Sequence, residues 1–257
     1  MRNHFFLFSI ALVFLLTGCQ AAQPAKSATV LPTQTADPLP TPTPTLSPSP
    51  SASPTPTGTP QPTEVPLPDS FYIDHIYGHR QYFSIGCETS AAVDWANFFG
   101  TFIYESDFQF AMPLSDNPDK GFVGDVSDPW GMVPPYSYGV HADPIAATLR
   151  EFGVPAQSAH AFTLEQLKAE LASGEPVIAW VIGNVVGGVP AEYTDSAGDT
   201  TIVAAYEHVI IVTGYAETSL RYLNNGHFYD IPTDVFLNSW GVLGNQVVYH
   251  ADHPPLP

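Results

Sequence analysis

Cysteine is nearly missing from this 257-residue chain: Cys19 and Cys87 are the only two. A dense disulfide framework of the kind that staples small exported domains is therefore excluded. Basic residues are scarce as well, seven Lys and Arg against 25 Asp and Glu, for a formal net charge of −18. From Asp69 onward the only basic side chains are Arg80, Lys120, Arg150, Lys168 and Arg221. Nucleic acid is bound mainly through cationic contacts to phosphate, so a surface this acidic argues against such a partner and names no other. One mostly apolar run, Phe5 to Leu16, stands near the start. It is too short for a membrane-spanning helix, which needs roughly twenty residues.

What is present begins with that run. Arg2, the apolar stretch and the small residues after it have the make-up of a secretory signal. Its last residues, Leu16-Thr17-Gly18-Cys19, resemble a bacterial lipobox. The resemblance implies a signal peptide over 1–18, cleavage before Cys19, lipid on the Cys19 sulfur and an extracytoplasmic, membrane-anchored product. The alternative is an ordinary signal peptide in which a cysteine falls at that place by chance. Two or more acyl chains would give stable anchorage. With Cys19 acylated, Cys87 has no disulfide partner. An unpaired cysteine in an exported protein is either a small buried hydrophobe or a reactive thiol.

Residues 19–68 are dominated by Pro, Thr and Ser, as in LPTPTPTLSPSPSASPTPTGTPQPTEVPLP, with no apolar period. Such a stretch has nothing to bury and is expected to be disordered. Extended Pro-rich chain rises about 3.1 Å per residue, so this tether could reach on the order of 100 Å. Residues 69–257 then suffice for one domain with a substantial core. Helical spacing of Cys87, Ala91, Trp95, Phe98 and Phe99, with Gly100 as a stop, predicts a helix over 87–99. Asp143 and Pro144 are placed to cap and open a second helix, 144–152. Thr163 and Gln166 form a capping-box pattern at the start of a third, which Gly174 closes. Residues 176–182, 208–215, 219–223 and the run NQVVYH are expected strands. Helices early and strands late suggest an α+β domain. Phe102 to Val140 has weak periodicity and is expected to form long loops.

A helix N-terminus favours a thiolate through its unpaired N–H groups and dipole, and Cys87 is expected at one, after a turn at Ile85-Gly86. His208 opens the apolar run HVIIVTGY, where it serves either as a rigidly held base or as a satisfied core histidine. Asn224 and Asn225, in RYLNNG, offer an amide to orient the imidazole, although an Asn-Gly pair is also ordinary turn chemistry. Gln81, upstream of Cys87, is a candidate oxyanion donor.

Together, QYFSIGCETSAA, DNPDKGFVG, YGVHADPIAATLREFG, GEPVIAWV, EHVIIVTGY and RYLNNG resemble, in order, the C39-like domains of bacteriocin-processing type, which have a papain-like fold. The resemblance covers most of residues 71–249. It implies an α+β papain-like fold with the nucleophile helix packed on an antiparallel sheet, and a cysteine peptidase cleaving peptide or amide bonds through a thioester. Carried over by position, Cys87 is the nucleophile and His208 its general base, drawn as a thiolate–imidazolium pair. Asn225 orients His208, with Asn224 as the alternative, and Gln81 with the Cys87 N–H forms the oxyanion hole. No cofactor or metal is called for. The expected partners are a peptide or protein substrate and the membrane, through lipid on Cys19; the domain is taken as a monomer.

The chain departs from the family where Glu88 stands in place of a frequent Gly and where Asn225-Gly226 replaces Asp-Pro. Those departures leave room for a non-catalytic peptide-binding module, or for an acyl transferase or cell-wall amidase using the same thiol. Glu88 is expected either to tune charge beside the nucleophile or to serve the helix dipole, the second being favoured. FLNSWG, at 236–241, copies the surroundings of papain's triad asparagine but lies too far beyond His208. It is read as a short helix with Phe236 and Trp240 buried and Asn238 structural. His75 and His79 lack the further ligands of a metal site. In DNPDKG, Pro118 and Lys120 stand where a calcium loop needs oxygen donors. GNVVGG is expected to be a loop near the cleft.

Overall fold

In this computed structural model, residues 66–251 are described; the leader, the lipobox with Cys19, nearly all of the Pro-rich tether and 252–257 lie outside them. The elements follow as β1 (Phe71–Tyr72), α1 (Cys87–Phe98), α2 (Glu105–Ala111), α3 (Ala142–Glu151), β2 (Ala156–Ala159), α4 (Leu164–Ala172), β3 (Val177–Ile182), β4 (Ala191–Thr194), β5 (Thr200–Val203), β6 (Glu207–Tyr215), β7 (Ser219–Asn224), β8 (His227–Pro232), α5 (Thr233–Trp240), a 3-10 turn at Gly241–Leu243 and β9 (Val247–His250). The main sheet runs β2-β9-β3-β6-β7-β8, with β1 paired onto β6, while β4 and β5 form a separate hairpin. Every pairing between these strands is antiparallel. The expected α+β architecture, with the helix that starts at Cys87 packed on an antiparallel sheet, is the observed one.

The sheet is organised around β3 and β6. Their sequences, VIAWVI and EHVIIVTGY, are buried at every position. A strand with no polar alternation must be covered on both faces. Helices α1 and α4 lie against β6, and α5 lies against β3. Three fully buried tryptophans fill the interior. Each satisfies its indole N–H on a backbone carbonyl: Trp95 on Pro176 (2.6 Å), Trp180 on Val140 (2.9 Å) and Trp240 on Gln246 (3.0 Å). Large aromatics thereby enter the core without leaving a buried donor unpaired.

The capping box of α4 is present in full: Thr163 accepts from the Gln166 N–H, and Gln166 reaches back to Thr163. The short helix at the end also forms, with Phe236 and Trp240 fully buried. Helix α3 begins earlier than expected. Its N-cap is His141, and Asp143 sits inside the first turn, 3.4 Å from His160. The interval 102–140 is not loop throughout, because α2 buries Phe108 there and short bridges join Leu114 to Phe122 and Val123 to Gly139. Strand β8 is exposed except at Ile231, β4 is mostly exposed and β5 buries only Thr201 and Val203, so none carries a strong apolar signal.

Glu170 and Glu175 are buried together at the end of α4, and one oxygen of Glu170 meets no hydrogen-bond donor among the described residues. Burial, reinforced by the Glu175 charge, pushes the Glu170 carboxyl from 4.5 up to about 8. A folded-state value above the unfolded one means that folding takes up a proton. The stability linked to it is complete below pH 4.5 and lost as pH rises through 8. Glu170→Gln should therefore leave Tm unchanged at pH 4 and raise it at pH 9. After discounting for solvent screening, about 1–2 kcal/mol or roughly 3–6 °C is expected in thermal melts at the two pH values.

Candidate active site

Helix α1 starts at Cys87 with Gly86 as its N-cap. A Cβ on Gly86 would come within 2.9 Å of the Phe83 Cβ, so glycine permits the tight entry into the helix. Cys87 is buried but forms part of the wall of an open cleft of about 720 Å³. Gln81, Trp130, Asn184, His208 and Asn225 line the same cleft. Segments 81–87, 130, 184, 208 and 225 thus meet at one end of the sheet.

His208 is the second residue of β6, and its imidazole Nε2 lies 3.1 Å from Asn224 Oδ1. An amide oxygen can only accept, so Nε2 carries the proton and Nδ1 keeps its lone pair. The Asn225 Nδ2 also donates to Asn224 Oδ1 (3.2 Å), which fixes the orientation of that amide. Burial lowers the His208 pKa, opposed by the bond to Asn224. The Trp130 ring stands edge-on to the His208 ring at 5.9 Å, and its N–H donates to the Glu207 carbonyl (2.8 Å).

The orienting amide is therefore that of Asn224 and not of Asn225. The cause is a turn. Asn224 pairs with His227, leaving Asn225-Gly226 as a two-residue hairpin loop with both φ values positive, 50° and 78°. A left-handed Asn leaves the strand pleat, so alternation does not carry through it. Cross-strand pairs share a face, and the register Ile211↔Leu223 and Val212↔Tyr222 puts Asn224 on the side of His208. Asn225 has a different place. Its Oδ1 accepts from the Gln81 backbone N–H (3.0 Å), tying the hairpin to the segment before Cys87.

Gln81 lines the cleft, but its amide is not free. Nε2 donates to the carbonyls of Phe83 (2.8 Å) and Ser84 (3.2 Å), occupying both of its N–H groups. The expected oxyanion donor is in reach of the site, and its hole is not preformed.

The largest departure concerns charge. The Cys87 thiol donates to Glu88 Oε2 at 3.1 Å, and the other Glu88 oxygen accepts from the Val140 N–H at 2.8 Å. Glu88 is buried, and its carboxylate also meets its own backbone N–H in the first turn of α1, as an acid at a helix N-terminus does. Glu207 is 2% exposed, and its Oε1 has no hydrogen-bond partner among the described residues. Burial first, then the Glu88 and Glu207 charges, push the Cys87 thiol well above its ordinary range. Burial raises Glu88 to about 7, and burial with the Glu88 charge raises Glu207 well above the usual carboxylate range. Both shifts favour a neutral thiol and a neutral imidazole at rest over the expected thiolate–imidazolium. Low dielectric disfavours separated charge here, and two acids crowd the sulfur. Gly139 makes room for them: a Cβ there would lie 2.0 Å from Glu88 Oε1.

The remaining candidates fall outside this cleft. Asn238 is exposed on α5, beside Gly187. Lys120 of DNPDKG donates to Asp195 (2.6 Å) and Asp199 (2.5 Å), so an ammonium clasps that loop to the β4–β5 turn. His79 bridges Asp94 and Glu105 at 2.7 Å each, while His75 is exposed. Glu207 and Trp130 were not singled out from sequence. A Glu directly before the strand histidine was the one local signal for the first, and nothing local marked the second.

A helix-borne thiol and a strand-borne imidazole with its amide partner, the thiol and imidazole lining one cleft, are the groups that a papain-like thiol hydrolase uses. The model of the Peptidase_C39 like family matches residues 73–248, and the chain belongs to that family. By family it is a cysteine peptidase. Among solved structures, a C39-like peptidase from Bacillus anthracis superposes with a TM-score of 0.64 at 16% identity, over 74% of this chain and 100% of that one. The peptidase domain of Streptococcus ComA, a bi-functional ABC transporter involved in quorum sensing, gives 0.43 at 13% identity, over 68% and 96% of the two chains. Xylellain, a cysteine protease from Xylella fastidiosa, gives 0.39 at 14% identity, over 72% and 86%. No curated protein matches.

Proposed function

We propose that the chain hydrolyses peptide or amide bonds through a thioester on Cys87, outside the cytoplasm, tethered by lipid on Cys19 and held off the membrane by residues 20–68. The observation that carries the chemistry is the convergence of Cys87, at the first position of α1, and His208, which bonds Asn224, on one cleft. As the sulfur attacks the substrate carbonyl carbon, the thiol proton passes to His208 Nδ1. The developing oxyanion is met by the Cys87 N–H, which as the first in its helix has no intrahelical partner. Gln81 Nε2 joins it after turning away from the Phe83 and Ser84 carbonyls. The imidazolium then protonates the departing amine, leaving the thioester. His208 next takes a proton from water; the hydroxyl cleaves the thioester, and the proton returns to sulfur. Bacteriocin-type double-glycine leaders are not carried over as substrate.

A second reading is favoured by one observation: the thiol is already bonded to Glu88, and the Gln81 donors are engaged. On that reading the domain binds peptides without turning them over. Peptidyl vinyl sulfones separate the two. If the thiol is active, intact-mass analysis should show a single adduct on Cys87, formed at least about tenfold more slowly in a His208→Ala variant. Equal rates in both proteins, or no adduct, would leave the binding module standing.

A further inference from the structure

Three acids lie buried against one another beneath the cleft. One ligand atom from each of Cys87, Glu88 and Glu207 falls within 4.8 Å of the others. Ionised groups gathered out of water need either protons or a cation, and paired or metal-bound arrangements are how proteins keep such groups inside. A second observation points to a ligand: Glu207, 2% exposed, directs into this cluster a carboxylate whose Oε1 has no partner among the described residues. Nothing in the proposed hydrolysis uses it.

We propose that Cys87 Sγ, Glu88 Oε2 and a Glu207 carboxylate oxygen form a binding site for one divalent transition-metal cation of the Zn²⁺ kind. The donor set selects that class. A thiolate discriminates against Ca²⁺ and Mg²⁺, which take oxygen alone, while a thiolate with two carboxylates suits Zn²⁺. The 3.1 Å between Sγ and Oε2 is close to one edge of a Zn²⁺ tetrahedron, whose metal–ligand bonds are about 2.0–2.3 Å. Outer contacts are already built. Val140 N–H engages the other Glu88 oxygen, turning Oε2 toward the sulfur, and Trp130 holds the Glu207 backbone at the rim. Such second contacts orient ligands in metal sites. The fourth position is left to water from the cleft that Cys87 lines. On binding, an S–metal bond replaces S–H, and the protons held by the thiol and the carboxyls pass to solvent. Binding does not depend on turnover. Its consequence does: if Cys87 is the nucleophile, the cation sequesters it and the peptidase is silent until the metal leaves.

The test is a Cd²⁺ titration of the full chain after treatment with a chelator, following the thiolate-to-Cd²⁺ charge-transfer absorption in the ultraviolet, with Zn²⁺ competition giving its affinity. One equivalent should produce the band, and Cys87→Ala should remove it. Glu207→Gln should weaken binding at least about tenfold, the scale on which the supports of a metal site act. His208→Ala should change it less than about threefold on the same basis. Glu88→Gln reads the same site if Glu207→Gln fails to fold. The proposal is overturned if no band forms, if the folded glutamine variants bind as the wild type does, or if His208→Ala alone abolishes binding, which would place the metal between Cys87 and His208. Cadmium binding together with failure of the vinyl sulfone adduct on the chelator-treated, metal-free chain would remove the hydrolase reading and keep the metal site.

Discussion

Cys87→Ala is expected to abolish hydrolysis, lowering kcat/KM by at least about 10⁴-fold, because losing the nucleophile of a covalent mechanism removes the pathway and not one contribution to it. The loss should not come from unfolding. The side chain is small, and the change removes one sulfur and its bond to Glu88. A shift in Tm of no more than a few degrees is expected, since a typical buried hydrogen bond contributes about 1 kcal/mol. The assay compares wild type and variant on the same peptides, with a melt of each. Activity that survives the substitution would mean that hydrolysis occurs elsewhere or belongs to a contaminant.

Asn224→Ala should lower kcat/KM by roughly 10²–10³-fold, because an imidazole without its orienting partner loses the tautomer and direction that base catalysis requires. The 3.1 Å bond from His208 Nε2 is the one this change deletes. Asn225→Ala should act differently. Asn225 holds the Asn224 amide and the Gln81 backbone, and its φ of 50° suits Asn or Gly but strains Ala. It should therefore lower Tm by several degrees, with a smaller rate loss, about tenfold or less. Asn225→Gly should recover part of the Tm without recovering the rate. Steady-state kinetics and melts on the three variants read both effects. A rate loss larger for Asn225→Ala than for Asn224→Ala would reverse the assignment of roles.

The amide that meets His208 is not the one that the resemblance implies. Asn224 lies sixteen positions after His208, and both asparagines were visible as candidates. The resemblance gave Asn225 by position, without the strand register; with Ile211 opposite Leu223, it is Asn224 that shares a face with His208. The hairpin ends the strand at Asn224, and a left-handed turn takes the next side chain off the pleat. The long-range contacts of Glu88 were likewise out of reach of the sequence. A carboxylate in the first turn of a helix ordinarily faces solvent and the helix dipole. Here the helix start is covered by the loop at Val140, and the carboxylate turns inward to that N–H.

Local physics was legible from the chain alone. Apolar periodicity and glycine punctuation marked α1, the capping box marked α4, and unbroken apolar runs marked β3 and β6, because each depends on neighbours within a few residues. So did the placement of the cysteine at a helix start and the histidine at the head of a buried strand. What tertiary structure alone decided is how distant segments share one low-dielectric space. Residues 88, 139 and 207 meet only after the sheet closes over α1, and that meeting determines which acids surround the sulfur and which charge it carries. Trp130 above His208 and the bond from Gln81 to Asn225 are products of the same closure. Sequence spacing identifies the groups that can react; burial and long-range contact determine their protons and partners.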